Sequence, residues 1–345
     1  MNRRWVCNDV WMDIFPFSDR PELGLKLALI SPRFNALVDT HFDGKSELTI
    51  WRPIKIFKDA IAAVPNIAVF IDGANSVPFP LPDHPLPNKI GFKDLRIEYI
   101  DHSVITFLRS NQKIFGKGTN LRWYVPSSDT DDQPIWDVFV REIWPIFAPN
   151  IRRINFFNGD HLDNLRSRTS PTILTDLNQL HSIDSYDLFP DATDDQALSK
   201  WLHTPRKDGQ PKRLFCEDFD EGNSDWVNNF KEEFIRAITS VSYKIEFQFI
   251  VHSSTSIEPF ELVNEMTNEK LTLTKPNEDG WFGRWIIKRC PINGETAVAI
   301  NWEDENLNTV DFWLSGVKRC IGPLSPTLKE EKAGQSIEKG TSDNE

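Results

Sequence analysis

The side chains best suited to chemistry are seven histidines, four cysteines and one carboxylate-rich loop, and their spacing argues against catalysis. His41, His84, His102, His161, His181, His203 and His252 contain no His-x-x-x-His pair, the spacing that puts two imidazoles on one helical face for a metal. Asp83-His84, Asp101-His102 and Asp160-His161 are chain neighbours, whose side chains diverge on helix and strand alike. Asp101 reads better as the cap of a helix carrying Val104, Phe107 and Leu108. The loop from Cys216 to Asp225, CEDFDEGNSD, has the composition of a calcium site. Counted from Asp218, however, Gly222 is fifth rather than sixth, and Asn229 holds the twelfth place where an acid is needed. The same carboxylates disfavour a thiolate at Cys216. Gly occurs 16 times but never as a phosphate-cradling G-x-G-x-x-G array. No catalytic residue, cofactor or metal ligand is expected, so the chain is read as a non-enzyme.

Bulk properties narrow the choice further. A net charge of −12 argues against sequence-independent nucleic-acid binding and against an anionic membrane surface, both of which need a basic footprint. No run approaches the roughly 20 apolar residues of a membrane span, and no apolar stretch follows the basic start Met1 to Trp5 as in a secretory signal. Cys7, Cys216, Cys290 and Cys320 lack paired spacing and read as reduced thiols. No Asn-x-Ser/Thr acceptor occurs. These features predict a cytoplasmic or nuclear protein. The 345 residues suggest about two domains, with a core enriched by 24 Phe and 12 Trp.

With chemistry set aside, the amino end carries the strongest signal. A helix is predicted from Asp9 to Phe17, capped by Asn8 or Asp9, with Val10, Ile14 and Phe17 on one face. A second starts near Pro21 and is apolar nearly all round through Leu23, Leu25, Leu27, Leu29 and Ile30. Ser31-Pro32 breaks it and restarts a third helix bearing Phe34, Leu37 and Val38. A bundle of about forty residues cannot bury this much apolar surface on itself. The rest of the chain or another protein must cover the excess.

These residues resemble an F-box. Val6 stands for the motif's opening Leu, Asp9 for its Glu, Val10 for its Val, Ile14-Phe15 for its Ile-Phe and Arg33-Phe34 for its basic-aromatic pair. Cys7 departs from the usual Pro. Over nearly its full length the chain is similar to the nematode F-box proteins with a long C-terminal associated region. The phrases that carry this are LGLKLALISPRFNALVDTHF, ALSKWLHTPRKDGQPK, PFELVNEMTNEKLTL and RCPI. The resemblance implies a substrate receptor of a Skp–cullin–F-box ubiquitin ligase, in which the N-terminal helices dock a Skp-type adaptor and, through it, a cullin. The remainder would hold a target protein that the residues do not name. Val6, Val10, Ile14, Leu25, Leu29 and Phe34 are the expected adaptor-binding residues. The alternative is a non-ligase interaction scaffold whose F-box has degenerated.

Beyond residue 45 the expected fold is α/β, α+β overall. Residues 46–92 form a connector with short strands at Leu48–Trp51 and Ile67–Ile71 and an extended, proline-dense stretch from Val77 to Pro87. Residues 93–242 repeat a strand and a helix. Strand centres at Arg96, Arg122, Ile154, Ser182, Arg213 and Ile245 are 26, 32, 28, 31 and 32 residues apart. That period fits an irregular leucine-rich-repeat-like stack, and a single parallel sheet gives the same alternation. Intervening helices carry Ile135, Phe139, Ile143 and Ile146, open at Ser170-Pro171, carry Leu198, Trp201 and Leu202, and carry Trp226, Phe230, Phe234 and Ile238. Residues 243–322 read as an antiparallel β region, with a hairpin joining Phe260–Leu262 to Leu271–Leu273, further strands at Trp285–Ile287, Val298–Ile300 and Val310–Phe312, and a turn at Asn293-Gly294. Residues 323–345 read as a disordered tail.

Overall fold

The computed structural model describes residues 6–18, 22–43, 48–50, 54–59, 64–71, 74–75, 78–82, 85–86, 90–92, 94–115, 118–123, 133–156, 159–185, 197–216, 225–250, 258–275 and 282–292. The strands expected at Val298–Ile300 and Val310–Phe312, the Asn293-Gly294 turn and the tail lie outside the described residues, as does the loop at 217–224. The described chain mixes α and β and divides into two units, one built mainly from residues 1–115, the other from 116–124 and 136–314.

The first unit begins with the helices α1 (Asn8–Ile14) and α2 (Pro32–His41). Residues 46–92, expected as a connector, supply paired strands: β1 (Leu48–Ile50), β2 (Ile54–Lys58), β3 (Pro65–Ile71), β4 (Ala74–Asn75), β5 (Phe79–Pro80) and β6 (Ile90–Phe92). β2 pairs antiparallel with β3 and parallel with β7 (Asp94–Ile97), so Ile54 and Ile56 sit beside Leu95 and Ile97 in one buried layer. β5 is only two residues long and lies along β3, where Pro80 costs no interior ladder bond. The proline-dense stretch is fastened by Asn111. Its buried amide side chain accepts from Leu86 N (2.7 Å) and donates to Phe107 O (2.8 Å) at the end of α3 (His102–Ser110). Asp101 caps α3 by accepting from Val104 N at 2.9 Å, as its sequence position predicts.

The second unit is governed by a parallel ladder. β8 (Thr119–Trp123), β9 (Ile151–Phe156), β10 (Ser182–Ser185), β11 (Lys212–Cys216) and β12 (Tyr243–Ile250) are neighbours in space in their chain order. Right-handed crossovers between successive parallel strands then carry every intervening helix over the same face. Register aligns Leu121, Ile154, Ile183, Leu214 and Ile245 in one row, all buried. The row continues through antiparallel strands: Ile245 faces Ile287 of β15 (Phe282–Pro291), which faces Leu273 of β14 (Glu269–Thr274). β13 (Phe260–Asn264) completes the predicted hairpin with β14.

Helices cover this row with the apolar residues the pattern marked. The first crossover holds α4 (Gln133–Val138), a wider turn over Phe139–Ile143 and α5 (Trp144–Phe147). Pro145 explains the widening: it lacks an N–H and crowds the carbonyl a turn earlier. The stripe Ile135, Phe139, Ile143 and Ile146 nevertheless stays buried. α6 (Gly159–Arg168) and the single-turn α7 (Ile173–Asp176) follow, the latter much shorter than the Ser170-Pro171 signal promised. α8 (Ala197–His203) buries Leu198, Trp201 and Leu202. α9 (Asp225–Arg236) buries Phe230 and Phe234, but Ile238 lies beyond its end and is exposed.

Two polar devices secure this layer. Lys212, almost fully buried, donates to Trp201 O and Thr204 O and so caps the C-terminus of α8, while burial pulls its pKa down to about 7. Arg289 forms a bidentate pair with Glu269 (2.7 and 3.0 Å), while the other Glu269 oxygen accepts from Val241 N and Ser240 Oγ, each at 2.8 Å. Both side chains are essentially sealed from solvent, so neither charge tolerates loss of its partner. Glu269→Ala is expected to cost about 3–5 kcal/mol in urea unfolding. Glu269→Ala combined with Arg289→Met is expected to recover a large part of that loss.

Candidate partner interface

The N-terminal helices have a small core and a large apolar outside. Phe15, Leu23, Leu25, Ala28, Leu37, Val38 and Phe42 are buried. Trp11 meets Phe34 edge-on at 4.9 Å, and His41 stands edge-on to Phe15 at 5.6 Å. Ser31 caps α2 by accepting from Phe34 N (3.3 Å), with Pro32 in the first turn, as its cap-then-proline sequence predicts. The expected cap of α1 is corrected: Cys7 occupies the N-cap without a side-chain bond. Asn8 is otherwise engaged, its Oδ1 accepting from Arg33 Nη2 (2.7 Å) and Nε (3.1 Å). Arg33 also donates to Val6 O at 2.6 Å, tying the opening segment to α2. The second helix is irregular, a wide turn over Leu23–Leu27 followed by a tight one over Ala28–Ile30.

The six expected docking residues divide. Val6, Val10 and Ile14 remain 43%, 44% and 42% exposed, and Leu29 and Phe34 are half-buried. Leu25 is a correction: at 2% exposure it belongs to the bundle's own core and offers nothing to a partner. An all-round apolar helix gives no phase by which to choose its outer face, hence the misassignment. Two apolar side chains outside that set are more exposed than any in it, Phe17 at 91% and Ile30 at 63%. Phe17 extends the Val10–Ile14 face by three residues, a spacing already visible in the sequence. A half-exposed aliphatic side chain leaves roughly 1 kcal/mol of burial for a partner to collect.

A cleft lies in the other unit. It encloses about 570 Å³ and is lined by residues including His203, Glu233, Arg236, Ile238 and Arg289. Ser199 Oγ (3.3 Å) and Glu233 Oε1 (3.1 Å) both approach His203 Nδ1. A hydrolytic triad needs its serine and its acid on opposite ring nitrogens, so this trio cannot relay a proton from Ser199. Burial, reinforced by Arg289 and Lys212, holds His203 down at about 4. His161, set against the Trp136 ring, is likewise lowered by burial to about 4. Among the described residues no group of His, Cys, Asp or Glu is placed to hold a metal, and no helix is long and apolar enough to cross a membrane.

No protein-family model, curated protein or solved structure matches the chain.

The two histidines give a pH dependence. Unfolding frees each to take up a proton near its ordinary value of 6.5, whereas the folded chain resists protonation until about 4. The stability they confer is therefore whole above pH 6.5 and declines towards pH 4, by on the order of 3 kcal/mol each. Urea unfolding across that range should show the decline, and His161→Phe should flatten it.

Proposed function

We propose that this chain is a substrate receptor of a Skp–cullin–F-box ubiquitin ligase, in which an F-box formed by the N-terminal helices docks a Skp-type adaptor and a leucine-rich-repeat-like stack holds the target. The observation that carries this reading is the apolar stripe Val10, Ile14 and Phe17 left open, with Val6 and Ile30 exposed as well. A short bundle that packs its own core and still exposes a row of aliphatic and aromatic side chains has the character of half an interface. The sequence resemblance says which half. Strand order in the second unit supports the stack: successive parallel strands without reversal, with helices over one face, are what repeated strand–helix units build.

The receptor performs no bond chemistry. It raises the effective concentration of target lysines near the charged ubiquitin-conjugating enzyme, and proximity alone supplies the rate. The scaffold alternative has the bundle packed away, and the 44% and 42% exposure of Val10 and Ile14 favours the receptor reading over it.

In pull-downs with a purified Skp-type adaptor, Val10→Asp and Ile14→Asp should each abolish capture with unchanged far-UV circular dichroism. Leu25→Ala should instead lower stability by about 2–5 kcal/mol, because it opens a cavity. Full capture by both aspartate variants would overturn the assignment.

A further inference from the structure

The strand face away from the helices carries a row of cations. Residues one position off the buried ladder align by register as Arg153, Ser182, Arg213, Lys244 and Lys288 across β9, β10, β11, β12 and β15. Neighbouring strands stand about 4.8 Å apart, so the row spans roughly 20 Å. Two carboxylates sit in the adjoining register and hold the row in place. Asp184 pairs with Arg153 at 2.6 Å, and Glu246 pairs with Lys244 (2.5 Å) and Arg213 (3.2 Å). Asp184 and Glu246 are buried beneath their partners, whereas Arg213 remains 25% and Lys244 12% exposed.

We infer that this face docks an acidic, extended segment of the target protein, laid across β11, β12 and β15 against Arg213, Lys244 and Lys288. The inference rests on the receptor reading and gives the target's docking segment a chemistry. Charge complementarity is its basis. The chain as a whole carries −12, yet the docking strands set Arg213, Lys244 and Lys288 in one row with a single carboxylate, Glu246, beside it. A charge opposite to that of the surrounding surface steers one class of ligand there and turns others away. An extended peptide projects every second side chain to one side at about 7 Å intervals. The long arms of Arg and Lys span the mismatch with the strand spacing. A nucleic-acid backbone fits less well, because buried Asp184 and Glu246 interrupt the row and the rest of the chain repels phosphate.

The test uses the full chain and three labelled peptides of equal length: alternating Glu and Ser, Gly and Ser only, and alternating Lys and Ser. Fluorescence anisotropy at low salt should show binding of the acidic peptide alone, weakening as salt rises. The triple variant Arg213→Gln, Lys244→Gln, Glu246→Gln removes two cations together with the carboxylate they share, so no buried charge is stranded. It should weaken acidic-peptide binding about tenfold or more, and Lys288→Gln should weaken it less. If the triple variant fails to fold by circular dichroism, Lys288→Glu supplies the same readout. Equal binding of the acidic and neutral peptides, unchanged binding by the variants, or tighter binding of single-stranded polyadenylate RNA would overturn the inference. Val10→Asp should leave peptide binding intact. If the unmutated chain binds the acidic peptide but captures no adaptor, the ligase reading alone fails; if it captures adaptor but binds no acidic peptide, this face alone fails.

Discussion

Strand register in the second unit is the constraint on which its other properties depend. Side chains alternate across a sheet with a period of two, so a slip of one residue would exchange the row of Leu121, Ile154, Ile183, Leu214 and Ile245 for the row holding Arg153, Arg213 and Lys244. That exchange would bring the cations into the buried row, and burying an unpaired charge costs several kcal/mol at least. One register is therefore selected strongly. Selecting it makes one face a floor for helices and leaves the other to carry charge.

The N-terminal helices solve a different problem. They are too short to stabilise themselves by burial alone, so polar contacts take a larger share. Ser31 starts α2, and Arg33 reaches back across more than twenty residues to hold Val6 O and Asn8. Because those contacts fix the chain path, Val10, Ile14 and Phe17 need not turn inward to hold the bundle together. Leu25, in contrast, fills the space between the helices, and its burial is part of what keeps the outer stripe outside.

The sequence announced the strands of the second unit well, because each has apolar residues alternating with polar ones between turn signals. β9, β11 and β12 each contain the strand centre the pattern gives, at Ile154, Arg213 and Ile245. The period near thirty residues is a real property of the parallel ladder, although the chosen centres mixed its two faces: Ile154 and Ile245 belong to the buried row, Ser182 and Arg213 to the charged one. β2 carries a weaker signal, because Phe57 after Ile56 breaks the alternation in IKIFK; its lysine stems lie on the sheet, Lys55 pairing with Glu98 at 2.7 Å. The all-apolar second helix gave no phase, which hid the inward turn of Leu25. The charged row has a legible signal in the sequence. A basic residue immediately precedes the buried one in three of the five parallel strands, as Arg153-Ile154, Arg213-Leu214 and Lys244-Ile245.

On the proposed reading, the two surfaces differ in chemistry because they serve contacts of different lifetime. An adaptor contact must outlast many target encounters, and apolar side chains packed against a partner chiefly slow dissociation. A target contact must form quickly and break once modification is done. Partly solvated cations suit that task, since they accelerate encounter while each exposed pair adds little to residence time. The internal ion pairs serve the same end. With Glu246 already holding Arg213 and Lys244 in place, an incoming carboxylate meets cations whose rotamers are largely fixed, so less ordering entropy opposes binding. Because Glu246 also offsets part of their charge, it keeps the attraction modest, and modest attraction is what a receptor that must release its target requires.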